Sequence, residues 1–206
     1  MGSYKKSMGK LIVLEGIDGS GKTTQAKLLS ESEIFKGKNV LLTKEPTSWV
    51  IGSFLRKGLE SKEVVDPRTM QLLFTADRSH HMENEVLPAL RRGDYVISDR
   101  FAFSTIAYGA AFGVDRKWLE SANKPFLDLV SASILIDIEP EVALKRIAGS
   151  RETSTYFEKI DTLKRIRKEY LAAVKSYPNF LVVDASKRIE DITSEIVPFV
   201  KKVLRL

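Results

Sequence analysis

A glycine-rich segment followed by a lysine and two threonines is the part of the sequence best suited to chemistry. Residues 16–23 read GIDGSGKT and match the pattern G-x-x-x-x-G-K-[ST] in full. The glycines allow the backbone to curl so that successive N–H groups point at one spot, where a phosphate can bind. Lys22 can contact the β- and γ-phosphates of a nucleoside triphosphate, and the Thr23 hydroxyl can ligate Mg²⁺. The alternative is a glycine-rich turn that binds nothing. The apolar run before the segment and the amphipathic stretch after it favour the phosphate site.

A second candidate site follows another apolar run. The segment 95–100 reads YVISDR, so Asp99 and Arg100 come at the end of a predicted strand. In an open α/β sheet the carboxyl ends of the strands face the ligand crevice. Asp99 would therefore lie near the glycine-rich segment and hold Mg²⁺, and Arg100 would offer its planar fork to a phosphate. The alternative is an ordinary surface pair.

A third candidate combines an aromatic ring with a guanidinium group. Phe74 and Arg78 are four residues apart in LLFTADR, so on a helix they share one face. Together they could stack on a base and donate to its edge. The alternative, which spacing alone favours, is a core phenylalanine beside a solvated arginine.

The composition excludes several classes of protein. The 206 residues contain no cysteine and two adjacent histidines, which argues against disulfides, thiolate catalysis and a histidine-based zinc site. No apolar run approaches the roughly 20 residues of a membrane span. We therefore expect a cytoplasmic protein that binds no membrane. The net charge of +6 fits nucleic acid or small anions, but the basic residues form no long run, which argues against nucleic acid.

The elements that must position these residues alternate along the chain. Five short apolar runs rich in β-branched residues predict buried parallel strands; they are Leu11–Leu14, Val40–Thr43, Tyr95–Ser98, Ser133–Asp137 and Phe180–Val183. Between or after them lie stretches of helical period, the clearest being Lys22–Phe35, Pro67–Arg92, Glu141–Ile147, Phe157–Tyr177 and Ile189–Leu204. This alternation predicts an α/β fold with helices on both faces of the sheet.

The motifs, taken together and in order, resemble those of the thymidylate kinases. The segments that carry the resemblance are EGIDGSGKTT, KEPT, LLFTADR, DRFAFSTIAYG and VDAS, and they run from about Lys10 to near the C-terminus. The resemblance implies a P-loop fold with a five-stranded parallel sheet and a short lid. It also implies MgATP-dependent phosphorylation of dTMP to dTDP, in dTTP synthesis, by a homodimer.

The resemblance assigns roles residue by residue. The implied ATP site comprises Gly16, Ile17, Asp18, Gly19, Ser20, Gly21, Lys22, Thr23, Thr24, Arg146 and Ala185. The implied dTMP site comprises Asp18, Glu45, Phe74, Arg78, Arg100, Ser104 and Tyr108. Within it Phe74 would stack on thymine, Arg78 would bond its O4, and Arg100 would hold the acceptor phosphate. Thr23 and Asp99 would hold the metal.

The sequence departs from the family's usual pattern at several places. Lys44 and Phe101 stand where family members often have arginine and tyrosine, and Gly109 stands where a glutamine is common. The lid has Tyr156 where arginine is expected. We therefore assign the catalytic set to Lys22, Asp99, Arg100 and a displaced lid arginine, Arg151.

The domain organisation expected is a disordered lead over residues 1–9 and a single domain over residues 10–206. Its lid would cover about residues 149–157, where the polar segment GSRETST lies between two helices; a plain connection is the other interpretation. Two functional alternatives stay open. One is a kinase for another nucleoside monophosphate such as dUMP, and the other is a weakly active nucleotide-binding paralogue.

Overall fold

Five parallel strands form the centre of the molecule. The computed structural model describes residues 9–60, 65–148 and 154–206. In that part of the chain the strands are β1 (Lys10–Glu15), β2 (Val40–Lys44), β3 (Tyr95–Asp99), β4 (Val130–Asp137) and β5 (Phe180–Asp184). Their order across the sheet is β2-β3-β1-β4-β5, with every pair parallel. The predicted α/β fold and its five-stranded parallel sheet are therefore confirmed.

The helices pack against the sheet in two groups. The described residues form α1 (Lys22–Ser30), α2 (Val50–Glu60), α3 (Pro67–His81), α4 (Leu87–Arg92), α5 (Ala102–Ala111), α6 (Arg116–Leu127), α7 (Pro140–Ala148), α8 (Ser154–Val174) and α9 (Ile189–Leu204). A π-helical turn, Met82–Val86, joins α3 to α4, and a short 3-10 turn, Glu33–Phe35, follows α1. Helices α1 and α9 contact each other, while α5 contacts α3, α6 and α8. The core between these layers and the sheet includes the whole apolar run of β1, which is fully buried.

Helix α5 shows why periodicity did not predict every helix. Seven of its ten residues are buried, since it packs against helices on several sides. A helix buried in this way has no polar face and hence no amphipathic period. Helices α2 and α6 were likewise absent from the clearest periodic stretches.

The parallel arrangement brings the carboxyl ends of the strands to one edge. Leu14 of β1 and Lys44 of β2 are both paired with Asp99 of β3, and Asp137 of β4 is paired with Asp184 of β5. Each motif that follows a strand is therefore delivered to this edge.

Two expectations fall largely outside the described residues. Residues 1–8 of the predicted disordered lead lie there, whereas the N–H of Gly9 donates to the carbonyl oxygen of Leu90 at 2.7 Å. Residues 149–153 of the predicted lid, including Arg151, also lie there, and α8 begins at Ser154.

Candidate active site

The glycine-rich segment connects β1 to α1 through a left-handed backbone. Gly16, Gly19 and Gly21 all have positive φ, at 146°, 79° and 96°. A Cβ on Gly16 would lie 2.5 Å from the carbonyl oxygen of Ile136, so glycine is also required there by space. Gly21 caps α1 without any side-chain hydrogen bond to the helix N-terminus. The first N–H groups of α1 and its positive dipole end are therefore available to an anion in this loop.

Lys22 is buried inside the loop. Its ammonium donates to the carbonyl oxygen of Ile17 at 2.8 Å and lies 3.4 Å from Ser20 Oγ. Burial, reinforced by the positive charge of Arg100, lowers the pKa of Lys22 to about 7. A phosphate in the loop would add negative charge beside this buried ammonium and would favour its protonated form.

Thr23 and Asp99 meet where α1 begins and β3 ends. Thr23 Oγ1 donates to Asp99 Oδ2 at 2.5 Å, and Asp99 Oδ1 is buried without a hydrogen-bond partner. An unpartnered carboxylate oxygen beside a hydroxyl suits a hard cation such as Mg²⁺. No group of three or more histidine, aspartate or glutamate residues within the described ranges could form a metal cage.

Arg100 adopts an unusual backbone that aims its side chain at the loop. Its φ is 72°, a left-handed value that costs energy for a residue with a Cβ. Two hydrogen bonds hold it, from its N–H to Leu14 O at 2.9 Å and from Ser98 Oγ to its carbonyl oxygen at 2.7 Å. The guanidinium group donates to Asp18 Oδ1 at 2.6 Å and lies 5.3 Å from the centre of the Tyr108 ring. Arg100 therefore bridges the glycine-rich loop and α5.

Glu15 is a component of the site that our sequence analysis missed. This fully buried carboxyl accepts hydrogen bonds from the N–H groups of Phe101 and Ser104, at 2.9 and 3.3 Å, and so caps α5. It also lies 2.6 Å from Ser104 Oγ and 3.3 Å from the Tyr170 hydroxyl, both of which contact Arg100. Burial raises the pKa of Glu15 to about 7. A glutamate directly after four apolar strand residues was the signal that could have found it.

A cavity of about 530 Å³ opens beside Arg100. All seven residues that the sequence assigned to the acceptor site line it, namely Asp18, Glu45, Phe74, Arg78, Arg100, Ser104 and Tyr108. The wall also includes apolar side chains, such as Leu59 of α2, Met70 of α3 and Phe112 immediately after α5. A mostly apolar cavity with a few converging polar groups is the usual form of a small-molecule site.

Arg78 lies in the wall of this cavity with its donors already engaged. It is only 1% exposed. Its guanidinium group donates to Glu45 Oε2 at 2.7 and 2.9 Å, to Thr105 Oγ1 at 3.1 Å from both terminal nitrogens, and to Asn123 Oδ1 at 2.6 Å. These five contacts match the five N–H donors of an arginine. A bond from Arg78 to a base would therefore share or replace one of them.

The predicted donor-side residues outside the loop also come together. Arg146 of α7 donates to the carbonyl oxygen of Ala185, which follows β5, at 2.8 Å. The same helix approaches the loop, because a Cβ on Gly19 would lie 2.6 Å from the carbonyl oxygen of Ala143. Arg146 and Ala185 thus flank the loop on the α7 side, whereas the cavity lies on the Arg100 side.

These features define a P-loop phosphotransferase: a glycine-rich anion site after the central strand, an aspartate ending the adjacent strand, and a second cavity beside the phosphate site. The family model described as thymidylate kinase matches residues 14–196. The chain therefore belongs to the thymidylate kinase family.

Curated relatives agree with this assignment over nearly their whole length. A "Probable thymidylate kinase" of Pyrococcus horikoshii is 45% identical over 95% of this chain and 98% of the relative. A "Probable thymidylate kinase 1" of Saccharolobus solfataricus is 42% identical over 96% of this chain and 100% of the relative. The corresponding protein of Methanocaldococcus jannaschii, "Probable thymidylate kinase", is 39% identical over 93% of this chain and 96% of the relative. Among the helices of the described residues, none is both long and apolar enough to cross a membrane.

Proposed function

We propose that this chain transfers the γ-phosphoryl group of ATP to dTMP, giving ADP and dTDP. Membership of the thymidylate kinase family supports this reaction. The observation that carries the proposal for the site is the Arg100–Asp18 contact of 2.6 Å. Asp18 belongs to the glycine-rich loop, and both residues line the cavity. A donor phosphate in the loop and an acceptor phosphate at Arg100 would therefore be neighbours.

The donor is held by the loop and by the α7 side of the site. Residues 16–24 would surround the phosphates of ATP, with the N–H groups of α1 and the ammonium of Lys22 as donors. Arg146 and Ala185 would lie against the adenine. Thr23 and Asp99 would hold Mg²⁺, which when bound neutralises charge on the β- and γ-phosphates.

The acceptor lies in the cavity. Phe74 would stack on the thymine ring, with Glu45 and Arg78 in the wall beside it. Arg100 would hold the phosphate, oriented by Ser104 and Tyr108. Because all five N–H donors of Arg78 are engaged, Arg78 would form a rigid part of the cavity wall, and a bond to the base would replace or share one of these contacts.

Transfer itself requires positioning and charge neutralisation. The loose transition state spreads negative charge over the equatorial oxygens of the γ-phosphoryl group, where Lys22 and Arg100 would meet it. Arg151, outside the described residues, is our proposed lid arginine for the same charge. The nucleophile is a phosphate oxygen of dTMP, so no side chain has to remove a proton from it.

The organisation of the whole enzyme is proposed on the same basis. Residues 10–206 would form a single domain with its lid at about residues 149–157. The family supports a homodimer working in the cytoplasm, without nucleic acid as a partner.

Acceptor-dependent release of ADP tests the proposed function. ADP is measured in a coupled assay with MgATP alone and then with dTMP, dUMP, dCMP, UMP, CMP, AMP or GMP. We expect release to depend on the acceptor and to be fastest with dTMP. ATP hydrolysis that is independent of every monophosphate would overturn the proposal, and faster turnover of dUMP than of dTMP would correct the substrate.

A further inference from the structure

Gln71 is a buried polar residue in the wall of the acceptor cavity with no partner for its oxygen. It belongs to α3, is 4% exposed, and lines the cavity with Phe74 and Arg78. The three residues are spaced i, i+3 and i+7 and therefore share one face of the helix. Gln71 Oε1 is buried without a hydrogen-bond partner. Such an orphaned acceptor is unusual in a folded protein and is expected to be satisfied in some other state.

The space for this side chain exists because residue 109 is glycine. A Cβ on Gly109 would lie 2.9 Å from Gln71 Cγ and 2.8 Å from Leu119 Cδ1. Both distances are too short for carbon atoms in contact. The Gln71 side chain thus lies beside the backbone of α5, next to Tyr108 in the same cavity wall.

The other polar groups around this position are already paired. The five N–H donors of Arg78 are taken by Glu45, Thr105 and Asn123. Among the cavity-lining residues within the described ranges, Gln71 Oε1 is the buried side-chain oxygen that lacks a partner. A ligand in the cavity can therefore satisfy this acceptor with an N–H donor once the Gln71 carboxamide, whose oxygen is buried in this structure, rotates towards it.

The chemistry of this acceptor suits a particular edge of a pyrimidine. Thymine carries one ring N–H, at N3, between two carbonyl groups. The carboxamide of Gln71 offers an oxygen acceptor beside an NH₂ donor, which matches N3–H and a flanking carbonyl. We propose that Gln71 binds the N3–H edge of the acceptor base and determines base specificity. This inference rests on the proposed function and adds to it a residue that contacts the base.

The test compares dTMP with N3-methyl-dTMP, which lacks the N–H donor, for the parent and for Gln71→Met. Methionine keeps the unbranched shape and removes both polar atoms. For the parent we expect kcat/KM to be about 10- to 100-fold lower with N3-methyl-dTMP, in line with one lost hydrogen bond to a buried group. Gln71→Met should lose about 10- to 100-fold on dTMP, mainly through KM, and should discriminate between the two substrates by less than about threefold.

Controls separate base recognition from a structural role. Leu72→Met changes an exposed residue of the same helix and should match the parent with both substrates. Without nucleotide, Gln71→Met should melt at the parent's temperature or higher, because it removes an unsatisfied polar atom. Its stabilisation by dTMP should be smaller than the parent's.

The result that would overturn the role of Gln71 differs from the result that would overturn the proposed function. Failure of the parent to phosphorylate dTMP would overturn the proposed function. Normal turnover of dTMP together with equal turnover of N3-methyl-dTMP by the parent would overturn the role of Gln71 alone, even if the variant did not fold. Equal losses on both substrates in Gln71→Met would also overturn it.

Discussion

Replacing the loop lysine should abolish activity and yet stabilise the protein without nucleotide. In the variant Lys22→Met the side chain keeps its length and loses its charge. The shift in the pKa of Lys22 from 10.5 to about 7 means that folding at pH 7 gives up about 4 kcal/mol of protonation free energy. Loss of the hydrogen bond from Lys22 to Ile17 destabilises the variant by about 1 kcal/mol and offsets part of this gain. We therefore expect Lys22→Met to raise the free energy of unfolding by about 3 kcal/mol at pH 7.

The stability gained in Lys22→Met should decrease as the pH rises. The folded-state pKa of Lys22 is below its unfolded value, so the penalty disappears as the pH rises through 10.5, where both states lose the proton. The difference between variant and parent should therefore fall from about 3 kcal/mol at pH 7 to zero or slightly below at pH 10.5. Urea denaturation of both proteins at each pH measures it, and taking the difference cancels the titration of other groups.

Activity and a matched control complete this experiment. Removal of the Lys22 ammonium should lower kcat by about 10²-fold or more, because it is a preorganised contact to the transferring group. Lys27→Met changes an exposed lysine five residues further along the same helix, and the ion pair of Lys27 with Glu31 spans 3.9 Å. It should change stability by less than about 0.5 kcal/mol and leave turnover intact. A variant at Lys22 that is less stable than the parent at pH 7, or that retains turnover, would refute the reasoning.

Three further substitutions test the rest of the site. In Glu15→Gln the amide resembles the protonated carboxyl. Because the folded-state pKa of Glu15, about 7, lies above the unfolded value of 4.5, the parent loses about 3 kcal/mol of stability as the pH rises through this range. In urea denaturation the variant should therefore be more stable than the parent above pH 8 and about as stable as the parent near pH 4. Arg151→Ala should lower kcat at least about tenfold and change the dissociation constants of both nucleotides little; turnover within twofold of the parent would remove Arg151 from the mechanism. Arg78→Ala leaves Glu45 buried without its guanidinium partner and should lower the free energy of unfolding by about 3–5 kcal/mol, and a fully stable variant would contradict the ion-pair argument. Calorimetry should show that the variant binds dTMP more weakly than the parent does, while its affinity for ATP changes little.

The features that sequence could predict are those encoded by local pattern. The glycine-rich segment, the five strand runs and the amphipathic helices each occupy a continuous stretch, and the edge where they meet follows from the parallel sheet. The environment of Arg78 could not be predicted in the same way. Its partners Glu45, Thr105 and Asn123 come from three separate segments, and only the folded chain brings them around one guanidinium group.

Departures from a family pattern are also hard to interpret one position at a time. Phe101 lacks the hydroxyl of the usual tyrosine, but it is fully buried with its ring 5.1 Å from the Arg78 guanidinium, so a hydroxyl there would itself need a partner. Gly109 lacks the polar side chain of the glutamine that is common there in the family. In the fold, the absence of that side chain is what admits Gln71 from another helix. The effect of losing a side chain at residue 109 thus depends on residue 71, which lies on a different helix. If N3-methyl-dTMP distinguishes the parent from Gln71→Met, the acceptor pocket has kept its polar contact and changed the helix that supplies it.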